Sequence, residues 1–388
     1  MKFWGVTGTN GKTTTTWIAA EFINADPARK CGYVTTVEVN TGTRRFYTGY
    51  TTPPLKQLKE IFAEMEANGC TDCVMEVSSH AIHQHRTGDT VFSGGVFTNL
   101  SEDHLDYHKT MEAYFDVKLD FARQIAAAHR ATPDMGRRDL PPYVVCLDGG
   151  YGKEMFNAVG NLAVNVIPVS AGKVEKRGGG GQRCFDLSEL KLVGDYNKSN
   201  VLCAAALAEA AGVPHEVIQA VIPTLKPRWG RLEYVGCASK AKVYVDFAHT
   251  PDGLEKVLAA ARGFTPEGKK LWVVFGAGGD RDPMKRPLMG EACAKLADNL
   301  VVTSDNPRSE DPLKIIDAIK EGILHCPPPP STSTCIEPDR RKAIEYALRE
   351  AAEGDVVIIA GKGHETTQEV KGVKYPFDDR EVVRSYRG

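Results

Sequence analysis

Residues 2–14 read KFWGVTGTNGKTT, an apolar run followed at once by a glycine-rich loop and a row of threonines. The run Lys2–Val6 predicts a short buried strand, and the segment from Thr13 to about Ala25 predicts a helix. A GTNGKT loop between a strand and a helix is typical of phosphate binding, because its glycines let backbone N–H groups approach phosphate oxygens at a helix N-terminus. The stretch therefore predicts an ATP-binding loop. Its residues are Gly8, Thr9, Asn10, Gly11, Lys12, Thr13 and Thr14.

Two side chains of this loop carry specific roles. The Lys12 ammonium can offset the charge of the β- and γ-phosphates, and the Thr13 hydroxyl can hold Mg²⁺. The strict phosphate-loop pattern has a glycine five residues before Gly11, where this sequence has Val6. The loop is therefore a shortened variant of that pattern.

Short apolar runs alternate with helical stretches along the 388 residues, which predicts an α/β architecture with two or three domains. Val91–Thr98 and Tyr143–Leu147 are predicted to be further strands. Between about Ala131 and Arg183, clusters of proline, glycine and charged residues, Gly178–Gly181 among them, predict long loops.

A second series of strands begins near Val243, and each strand is followed at once by a polar cluster. The strands are rich in Val, Ile and Leu, as buried parallel strands are. They are Val243–Phe247, Leu271–Phe275, Leu300–Thr303 and Asp355–Ala360, followed by AHTPD, GAGGDRD, SDNPRSEDP and GKGHE respectively. Because ligands of open α/β sheets bind beyond the carboxyl ends of the strands, these clusters are candidate binding residues.

The composition excludes several classes of function. A net charge of −2 gives no reason to expect electrostatic binding of nucleic acid or of an anionic membrane. No apolar run approaches the roughly 20 residues that span a bilayer, and the glycine-rich loop leaves no room for a signal peptide. The ten cysteines follow no disulfide or zinc spacing, and the lone pair Cys70 and Cys73 is interpreted as packing. We expect a cytoplasmic protein.

Five of the ten histidines lie between residues 80 and 108, interspersed with carboxylates and hydroxyls. Their spacing alone leaves a zinc site open, since histidine is a common metal ligand. Without an HExxH pattern, and with oxygen ligands throughout, the segment favours a hard cation over zinc. Most of these histidines are expected to pack or to form hydrogen bonds.

Several long motifs occur in order along the chain. They are GTNGKTT at 8–14, MEVSSH at 75–80, FTNLSEDHLDYH at 97–108 and DFAHTPD at 246–252, and then GGDRD, SDNPRSEDP and AGKGHE. Together they resemble the Mur ligase family, and the resemblance covers essentially the whole chain. It implies a P-loop-type ATPase domain with a central, mostly parallel sheet at residues 1–228. A Rossmann-like α/β domain that binds the amino acid would follow at residues 229–388.

The resemblance also implies a reaction. An acceptor carboxylate is phosphorylated by ATP, and an amine then attacks the acyl phosphate to give an amide, ADP and phosphate. The acceptor would be a muramoyl L-Ala-D-Glu-type peptide of peptidoglycan synthesis. We expect the protein to be a monomer that acts on small molecules. Family members of this type carry a further N-terminal domain of about a hundred residues for the uridine nucleotide. This sequence does not include that domain, which leaves open whether the acceptor is UDP-linked.

The resemblance assigns roles to individual residues. Glu76 and His104 match ligands of Mg²⁺, at which Thr13 also acts, and Lys118 in TMEAYFDVK matches a lysine carried as a carbamate that holds a second Mg²⁺. Lys12, Glu76, His104 and Lys118 are thus the expected catalytic set. The expected ATP contacts outside the loop are Asn99, Asn197, Asn200, Arg231 and Asp246. The expected acceptor contacts are Thr51, Thr52, Ser78, Gln84 and Arg86.

The amino-acid site is the most discriminating feature. In similar ligases DNPR accompanies meso-diaminopimelate, whose distal carboxylate lysine lacks, and the fork of Arg308 suits such a carboxylate. The expected contacts are Arg281, Asp305, Asn306, Pro307, Arg308, Gly361 and Glu365. Two alternatives stay open: a ligase of the wider superfamily that extends another γ-carboxyl acceptor, and a Mur-like scaffold without activity. DNPR with GKGHE argues against the first, and intact Lys12, His104 and Lys118 argue against the second.

Overall fold

The computed structural model describes residues 1–129, 139–170, 173–174, 184–325 and 333–388. The chain forms two compact units. The first comprises Met1–Ser101 and His108–Leu225, and the second comprises Glu102–Tyr107 and Lys226–Gly388. Gly178–Gly181, where a loop was predicted, lies outside the described residues.

The first unit alternates strands and helices. Its strands are β1 (Lys2–Thr7), β2 (Cys31–Val34), β3 (Val39–Asn40), β4 (Arg45–Phe46), β5 (Asp72–Glu76), β6 (Phe92–Phe97), β7 (Pro142–Cys146), β8 (Asn165–Ser170) and β9 (Lys173–Val174). Its helices are α1 (Lys12–Asn24), α2 (Leu55–Ala67), α3 (Ser79–His83), α4 (Leu105–His108), α5 (Met111–Ala128), α6 (Gly152–Val159), α7 (Asp195–Ala211) and α8 (His215–Val221), with a 3₁₀ turn at Ile222–Thr224; α4 crosses the boundary between the two units.

These strands form one sheet in the order β4-β3-β2-β5-β1-β6-β7-β8-β9. The six strands from β2 to β8 in that order are parallel, and short antiparallel strands cover both edges. Because β1 lies between β5 and β6, the residues that follow these three strands meet at one edge of the sheet. The phosphate loop, Glu76 and Thr98 all lie there.

The apolar side chains of the sheet and its helices explain why these segments fold as they do. Strand β1 buries Trp4 and Val6, and α5 buries Phe121 and Ile125 in a core cluster against which Phe3 of β1 also packs. One expectation was wrong in part. The stretch from Ala131 to Arg183 contains α6 and β8 in addition to the predicted strand at β7, because Met155, Val159 and Val166 supply apolar faces that the surrounding Gly and Pro obscure.

The second unit is a smaller α/β assembly. Its strands are β10 (Glu233–Tyr234), β11 (Lys242–Asp246), β12 (Leu271–Phe275), β13 (Asn299–Val302), β14 (Ser333–Ile336), β15 (Val356–Ala360), β16 (Thr367–Val370) and β17 (Val373–Pro376). Its helices are α9 (Pro251–Phe264), α10 (Lys285–Leu296), α11 (Pro312–His325), α12 (Arg340–Glu350) and α13 (Asp379–Ser385).

Six of these strands form a sheet in the order β10-β11-β15-β12-β13-β14, parallel except for the edge strand β10. Alternate residues of β12 face opposite sides: Val273 packs with α9, α10 and α11, and Val274 packs with α12 and α13. Helices therefore cover both faces, as in doubly wound folds. The predicted α/β class and the four predicted strands are confirmed.

No helix within the described ranges is long and apolar enough to cross a membrane.

Candidate functional site

The phosphate loop connects β1 to α1 through two glycines in conformations that other residues rarely adopt. Gly8 has a φ of +146° and Gly11 a φ of +85°. A Cβ atom on Gly8 would lie 2.0 Å from Thr98 Oγ1, and one on Gly11 would lie 2.3 Å from Asn200 Oδ1. Among the described residues, no side chain caps the N-terminus of α1, so no capping oxygen competes with a phosphate for its first amides.

Lys12 lies across this loop. Its Nζ donates to the carbonyls of Gly8 at 2.9 Å and of Thr9 at 2.8 Å. These bonds hold the ammonium over the strand-to-helix turn, where a bound phosphate chain would place its negative charge.

Thr13 and Glu76 come together beside the loop, as predicted. The Thr13 hydroxyl donates to Glu76 Oε1 at 2.8 Å, and Glu76 is completely buried. Sequence reasoning missed Thr36, whose backbone N–H donates to Glu76 Oε1 and whose hydroxyl donates to Glu76 Oε2. Thr36 Oγ1 also lies 3.0 Å from Thr51 Oγ1, which links the predicted acceptor residue Thr51 to the carboxylate.

Asn99 follows β6 and fixes the loop backbone. Its Oδ1 accepts the N–H of Asn10 at 3.0 Å, and its Nδ2 donates to the Asn10 carbonyl at 3.0 Å. The Thr9 N–H donates to the Asn99 carbonyl at 2.9 Å. In this structure Asn99 therefore shapes the ATP loop, in addition to its predicted role as an ATP contact.

The two asparagines predicted near the adenine lie on α7, which packs against α1. Asn200 Oδ1 accepts the Thr15 hydroxyl at 3.3 Å, and its Nδ2 donates to Asn197 Oδ1 at 3.4 Å. Asn197 Nδ2 donates to the Val193 carbonyl at 2.7 Å. Both asparagines are buried, so α7 is locked in register against the helix that carries the loop. Thr14 lies half-buried in the first turn of α1.

Lys118 is 1% exposed, which excludes the ordinary surface lysine that its helix position would otherwise favour. Its Nζ donates to Thr7 Oγ1 and to the Gly8 carbonyl, both at 3.0 Å. Helix α5 therefore delivers a buried amine directly beneath the phosphate loop, where a charge-changing modification would act on the same space as Lys12.

The predicted acceptor residues also meet. Ser78 N–H donates to Thr52 Oγ1 at 3.0 Å, and the Thr52 hydroxyl donates to the Glu76 carbonyl at 2.8 Å. Arg86 donates through Nη1 to the Thr52 carbonyl at 3.2 Å and through Nε to Gln84 Oε1 at 2.9 Å. A guanidinium and several hydroxyls thus lie around Thr52, a set suited to a carboxylate-bearing peptide.

His108 packs and forms a hydrogen bond, as expected for most of these histidines, while the metal role of His104 stays a prediction. His108 stacks on Tyr114 with ring centroids 4.8 Å apart, and its Nε2 lies 2.9 Å from Ser79 Oγ. His104 belongs to Glu102–Tyr107, which is part of the second unit, and its Nε2 lies 3.5 Å from Asp103 Oδ2.

The residues present fit a magnesium nucleotide. In the described part of the chain, no three His, Cys, Asp or Glu side chains form a metal cluster by themselves. Thr13 and Glu76 supply two adjacent oxygen ligands of the kind Mg²⁺ takes, and Mg²⁺ sites are ordinarily completed by substrate phosphates and water. The buried Cys70 and Cys73 belong to the apolar core, as expected.

In the second unit, the four predicted polar clusters follow the parallel neighbours β11, β15, β12 and β13 and so lie at one edge. Asp246 ends β11 and is 7% exposed. Its two carboxylate oxygens accept the N–H groups of Ala248 at 2.7 Å and Leu232 at 2.6 Å. Burial raises the pKa of Asp246, although Arg231 and these N–H groups oppose the rise. Asp246 therefore organises the strand end, and Arg231 lies over the Phe247 ring at 4.6 Å.

The DNPR segment follows β13. Arg308 has a φ of +50°, and its backbone is held by bonds to the hairpin of β16 and β17: Arg308 N–H donates to the Glu369 carbonyl at 3.1 Å. Its Nη1 donates to the Gly279 carbonyl at 2.6 Å, and its Nε lies 3.7 Å from Glu369 Oε2. Arg281 is exposed, and both guanidinium-bearing side chains border Gly278. The Pro307 carbonyl packs against Gly279.

Carboxylates lie at the same strand ends. Asn306 Nδ2 donates to Glu365 Oε2 at 2.9 Å, which joins the DNPR and GKGHE segments. Asp305 is 7% exposed, and its Oδ1 is buried and accepts no hydrogen bond from the described residues. Gly361 N–H donates to the Asp246 carbonyl at 3.1 Å. A buried carboxylate oxygen without a donor is rare, which makes Asp305 a candidate contact for a cationic ligand group.

Sequence reasoning missed a buried ion pair that supports these strand ends. Arg340 donates to both carboxylate oxygens of Asp379, at 2.8 and 2.7 Å, and to the Ala360 carbonyl at 2.8 Å. Both side chains are completely buried. In the sequence, Arg340 stands in PDRRK and has the character of a surface charge, so no local pattern indicates its burial.

We expect Arg340→Met to destabilise the protein by about 3–5 kcal/mol, because it leaves the Asp379 carboxylate buried and unpaired. Urea denaturation with hydrogen exchange at α13 measures this. Arg341→Met, at the exposed neighbour, is the matched control and should change stability by less than about 0.5 kcal/mol. Arg340→Met/Asp379→Leu should recover most of the loss; equal destabilisation by the single and double variants would contradict the pairing.

Comparison with known proteins agrees with this geometry. The profile of the Mur ligase middle domain matches residues 6–208, and that of the Mur ligase glutamate ligase domain matches residues 230–363. The UDP-N-acetylmuramoyl-L-alanyl-D-glutamate–2,6-diaminopimelate ligase of Neisseria meningitidis serogroup A is 38% identical over 396 residues, which cover 99% of this chain and 77% of that protein. The ligase of the same name from Aquifex aeolicus is 39% identical, with the same coverage.

Solved structures show the same likeness. A UDP-N-acetylmuramoyl-L-alanyl-D-glutamate–2,6-diaminopimelate ligase structure is 32% identical with a TM-score of 0.61, covering 99% of this chain and 78% of that one. Mycobacterium tuberculosis folylpolyglutamate synthase, at 18% identity and a TM-score of 0.62, covers 93% of this chain and 88% of that one and shares the fold. The chain therefore belongs to the Mur ligase family.

Proposed function

We propose that this chain is an ATP-dependent, ADP-forming ligase that joins meso-diaminopimelate to the D-Glu carboxylate of a muramoyl L-Ala-D-Glu-type acceptor in peptidoglycan synthesis. The observation that carries the proposal is the amino-acid site of the second unit. Asp305 and Arg308 follow β13 and Glu365 follows β15, on either side of β12, and the Asn306–Glu365 hydrogen bond joins the two segments. That set matches an amino acid whose distal end carries both an ammonium and a carboxylate.

The proposed reaction has two chemical steps, phosphorylation of the acceptor and formation of the amide. An acceptor carboxylate oxygen attacks the γ-phosphorus of ATP, so that an O–P bond forms, the bond to the β-phosphate oxygen breaks and ADP leaves. The amine of diaminopimelate then attacks the acyl carbon; a C–N bond forms, phosphate leaves and the amine loses a proton to solvent. Lys12 holds the transferred phosphate, and Arg86, with the hydroxyls of Thr52 and Ser78, orients the acceptor.

Magnesium is the proposed metal, with Thr13, Glu76 and His104 as the proposed ligands at one site and carbamylated Lys118 at a second. When bound, it neutralises charge on the phosphates. The support for the carbamate is the burial of Lys118 beside Thr7 and Gly8. A carbamate would replace a buried cation by an anionic oxygen ligand. Asn197 and Asn200 are proposed to face the adenine, and Asp246 and Arg231 the ribose and phosphates.

We also propose that the chain acts as a monomer in the cytoplasm on small-molecule substrates, with no role for nucleic acid. The proposed reaction supports the small-molecule substrates, because it consumes ATP and a nucleotide-linked or free muramoyl peptide.

The test is phosphate release from ATP by the purified chain. We expect release only when ATP, meso-diaminopimelate and an acceptor are all present, with the acceptor supplied as UDP-MurNAc-L-Ala-D-Glu or as the free dipeptide. Replacing diaminopimelate by L-lysine or L-glutamate should lower kcat/KM by roughly tenfold or more, because the buried charges of the site are then left without partners. Absence of release with every acceptor and amine would overturn the proposal, and preference for lysine would overturn the role of Arg308.

A further inference from the structure

Lys362 stands between two glycines in the GKGHE segment that follows β15, and its side chain is completely buried. Its neighbours Gly361 and Glu365 carry roles in the proposed amino-acid site, but the reaction as described gives Lys362 none. A lysine is almost never fully buried unless it is paired, because its ammonium loses hydration. Its contacts therefore indicate what the ammonium does.

The Lys362 ammonium connects the two segments that form the amino-acid site. Its Nζ donates to Glu365 Oε2 at 2.8 Å and to Asn306 Oδ1 at 3.2 Å. Asn306 Nδ2 donates to the same Glu365 oxygen at 2.9 Å, so the three side chains close a triangle of hydrogen bonds. Asp305 Oδ1 lies 3.8 Å from Nζ, within ion-pair range but beyond a hydrogen bond.

These hydrogen bonds fix the orientation of the Asn306 amide and of the Glu365 carboxylate. The Asn306 amide has a single consistent assignment, because its Oδ1 accepts from Lys362 and from the Glu369 N–H at 2.9 Å while its Nδ2 donates to Glu365. Glu365 Oε2 is occupied by two donors. The buried Oδ1 of Asp305 accepts no hydrogen bond from any residue that the structure describes, which leaves it as an acceptor for a ligand.

The Lys362 ammonium also reduces the net negative charge of the proposed amino-acid site. Asp305 and Glu365 together carry two negative charges, and the ammonium of Lys362 offsets one of them at close range. The nearby guanidinium of Arg340 is matched by Asp379 in its own bidentate pair. The remaining negative charge suits one ammonium. A site without Lys362 would attract cationic ligands more strongly and zwitterionic ones no better.

We propose that Lys362 is a positioning and specificity-determining residue. It orients Asn306 and Glu365 and reduces the negative charge of the site, so that a distal end carrying both ammonium and carboxylate is preferred over a lone ammonium. This inference rests on the proposed function. It adds a residue, acting through its neighbours, to the discrimination between meso-diaminopimelate and lysine.

The test compares steady-state kinetics of the full chain and of Lys362→Met with both amines. We expect KM for meso-diaminopimelate to rise roughly 10- to 100-fold, KM for ATP to stay within about twofold, and the preference for diaminopimelate over lysine to fall roughly tenfold or more. Lys320→Met, on the exposed face of α11, is the matched control and should leave all three quantities unchanged.

Two further variants separate charge from packing. Lys362→Gln retains a hydrogen-bond donor without the charge; it should also lose preference for diaminopimelate, and it carries the test if Lys362→Met does not fold. When either change is combined with Glu365→Gln, the fold-loss of preference for diaminopimelate should be smaller than the product of the two single fold-losses. The reason is that the carboxylate left unbalanced by the loss of Lys362 is then also removed. An unchanged diaminopimelate-to-lysine ratio in a folded variant overturns the inference. Inactive wild-type protein with diaminopimelate would instead overturn the proposed function.

Discussion

Lys12→Met is expected to lower turnover by roughly 10³-fold, since a positioned cation at a transferring phosphate is among the strongest single contributions to this kind of catalysis. The structure gives the reason. Lys12 Nζ lies over the loop on the Gly8 and Thr9 carbonyls, in the space where the phosphates of ATP are proposed to bind. Methionine keeps most of the apolar length of the side chain and removes the ammonium, with its charge and its bonds to the two carbonyls. Phosphate release with saturating substrates measures the loss.

Lys59→Met is the matched control, because Lys59 is exposed on α2 in the same unit. It should leave turnover and thermal midpoint unchanged. Lys12 is only half-buried, so the Lys12→Met protein is expected to fold with a midpoint close to that of the wild type. Binding of a fluorescent ATP analogue provides a second readout. Turnover within about tenfold of wild type would contradict the assignment of the loop.

The fold was largely predictable from the sequence, because its strands are strongly apolar and glycine, proline and polar residues mark its loops. The runs that became β1, β11, β12, β13 and β15 were located to within one or two residues. The rule that polar clusters of a parallel sheet meet at its carboxyl edge correctly grouped the DNPR and GKGHE segments, whose Asn306 and Glu365 are hydrogen-bonded. Such features are encoded locally and require no knowledge of distant contacts.

The parts that were not predicted depend on contacts between distant residues. Lys362 and Arg340 have the local character of surface charges, and only the partners brought by β13 and α13 show that both are buried. Thr36 binds Glu76 across 40 positions of sequence. The helix α6 was missed because glycines flank it and its apolar residues are few. Sequence patterns indicate periodicity and turn-forming residues, but they do not indicate which charged side chains are buried or with which residues they pair.

Some assigned residues have a structural role that sequence comparison alone does not reveal. Both carboxylate oxygens of Asp246 accept backbone N–H groups, and both polar atoms of the Asn99 amide bond the backbone of Asn10. Substituting either would alter the shape of a strand end or loop as well as any contact to ATP. Loss of activity in such variants therefore identifies a contact only when the fold is shown to be intact.

Arg308→Met is expected to raise KM for meso-diaminopimelate roughly 100-fold and to abolish the preference over lysine. A charge-assisted, two-point contact to a carboxylate contributes about 1.5–3 kcal/mol, equivalent to roughly 10- to 100-fold in affinity, and its loss leaves the substrate carboxylate without a partner. Lysine has no such carboxylate, so its kinetics should change little. Competition assays with both amines at fixed ATP measure the ratio directly.

The backbone conformation of Arg308 also bears on the expected effect of Arg308→Met. Arg308 has a φ of +50°, a conformation that costs a non-glycine residue free energy and that is kept here by the Glu369 carbonyl and the Lys371 N–H. Strain at this position is consistent with a guanidinium aimed at a ligand, and a variant that simply relaxed the backbone would alter kcat with both amines. Arg308→Lys keeps the charge and loses the fork, so it should recover only part of the preference. Arg349→Met, exposed on α12, is the control. If Arg308→Met retained full discrimination, the distal carboxylate would have to be read by Arg281, and the corresponding Arg281→Met variant would then show the loss.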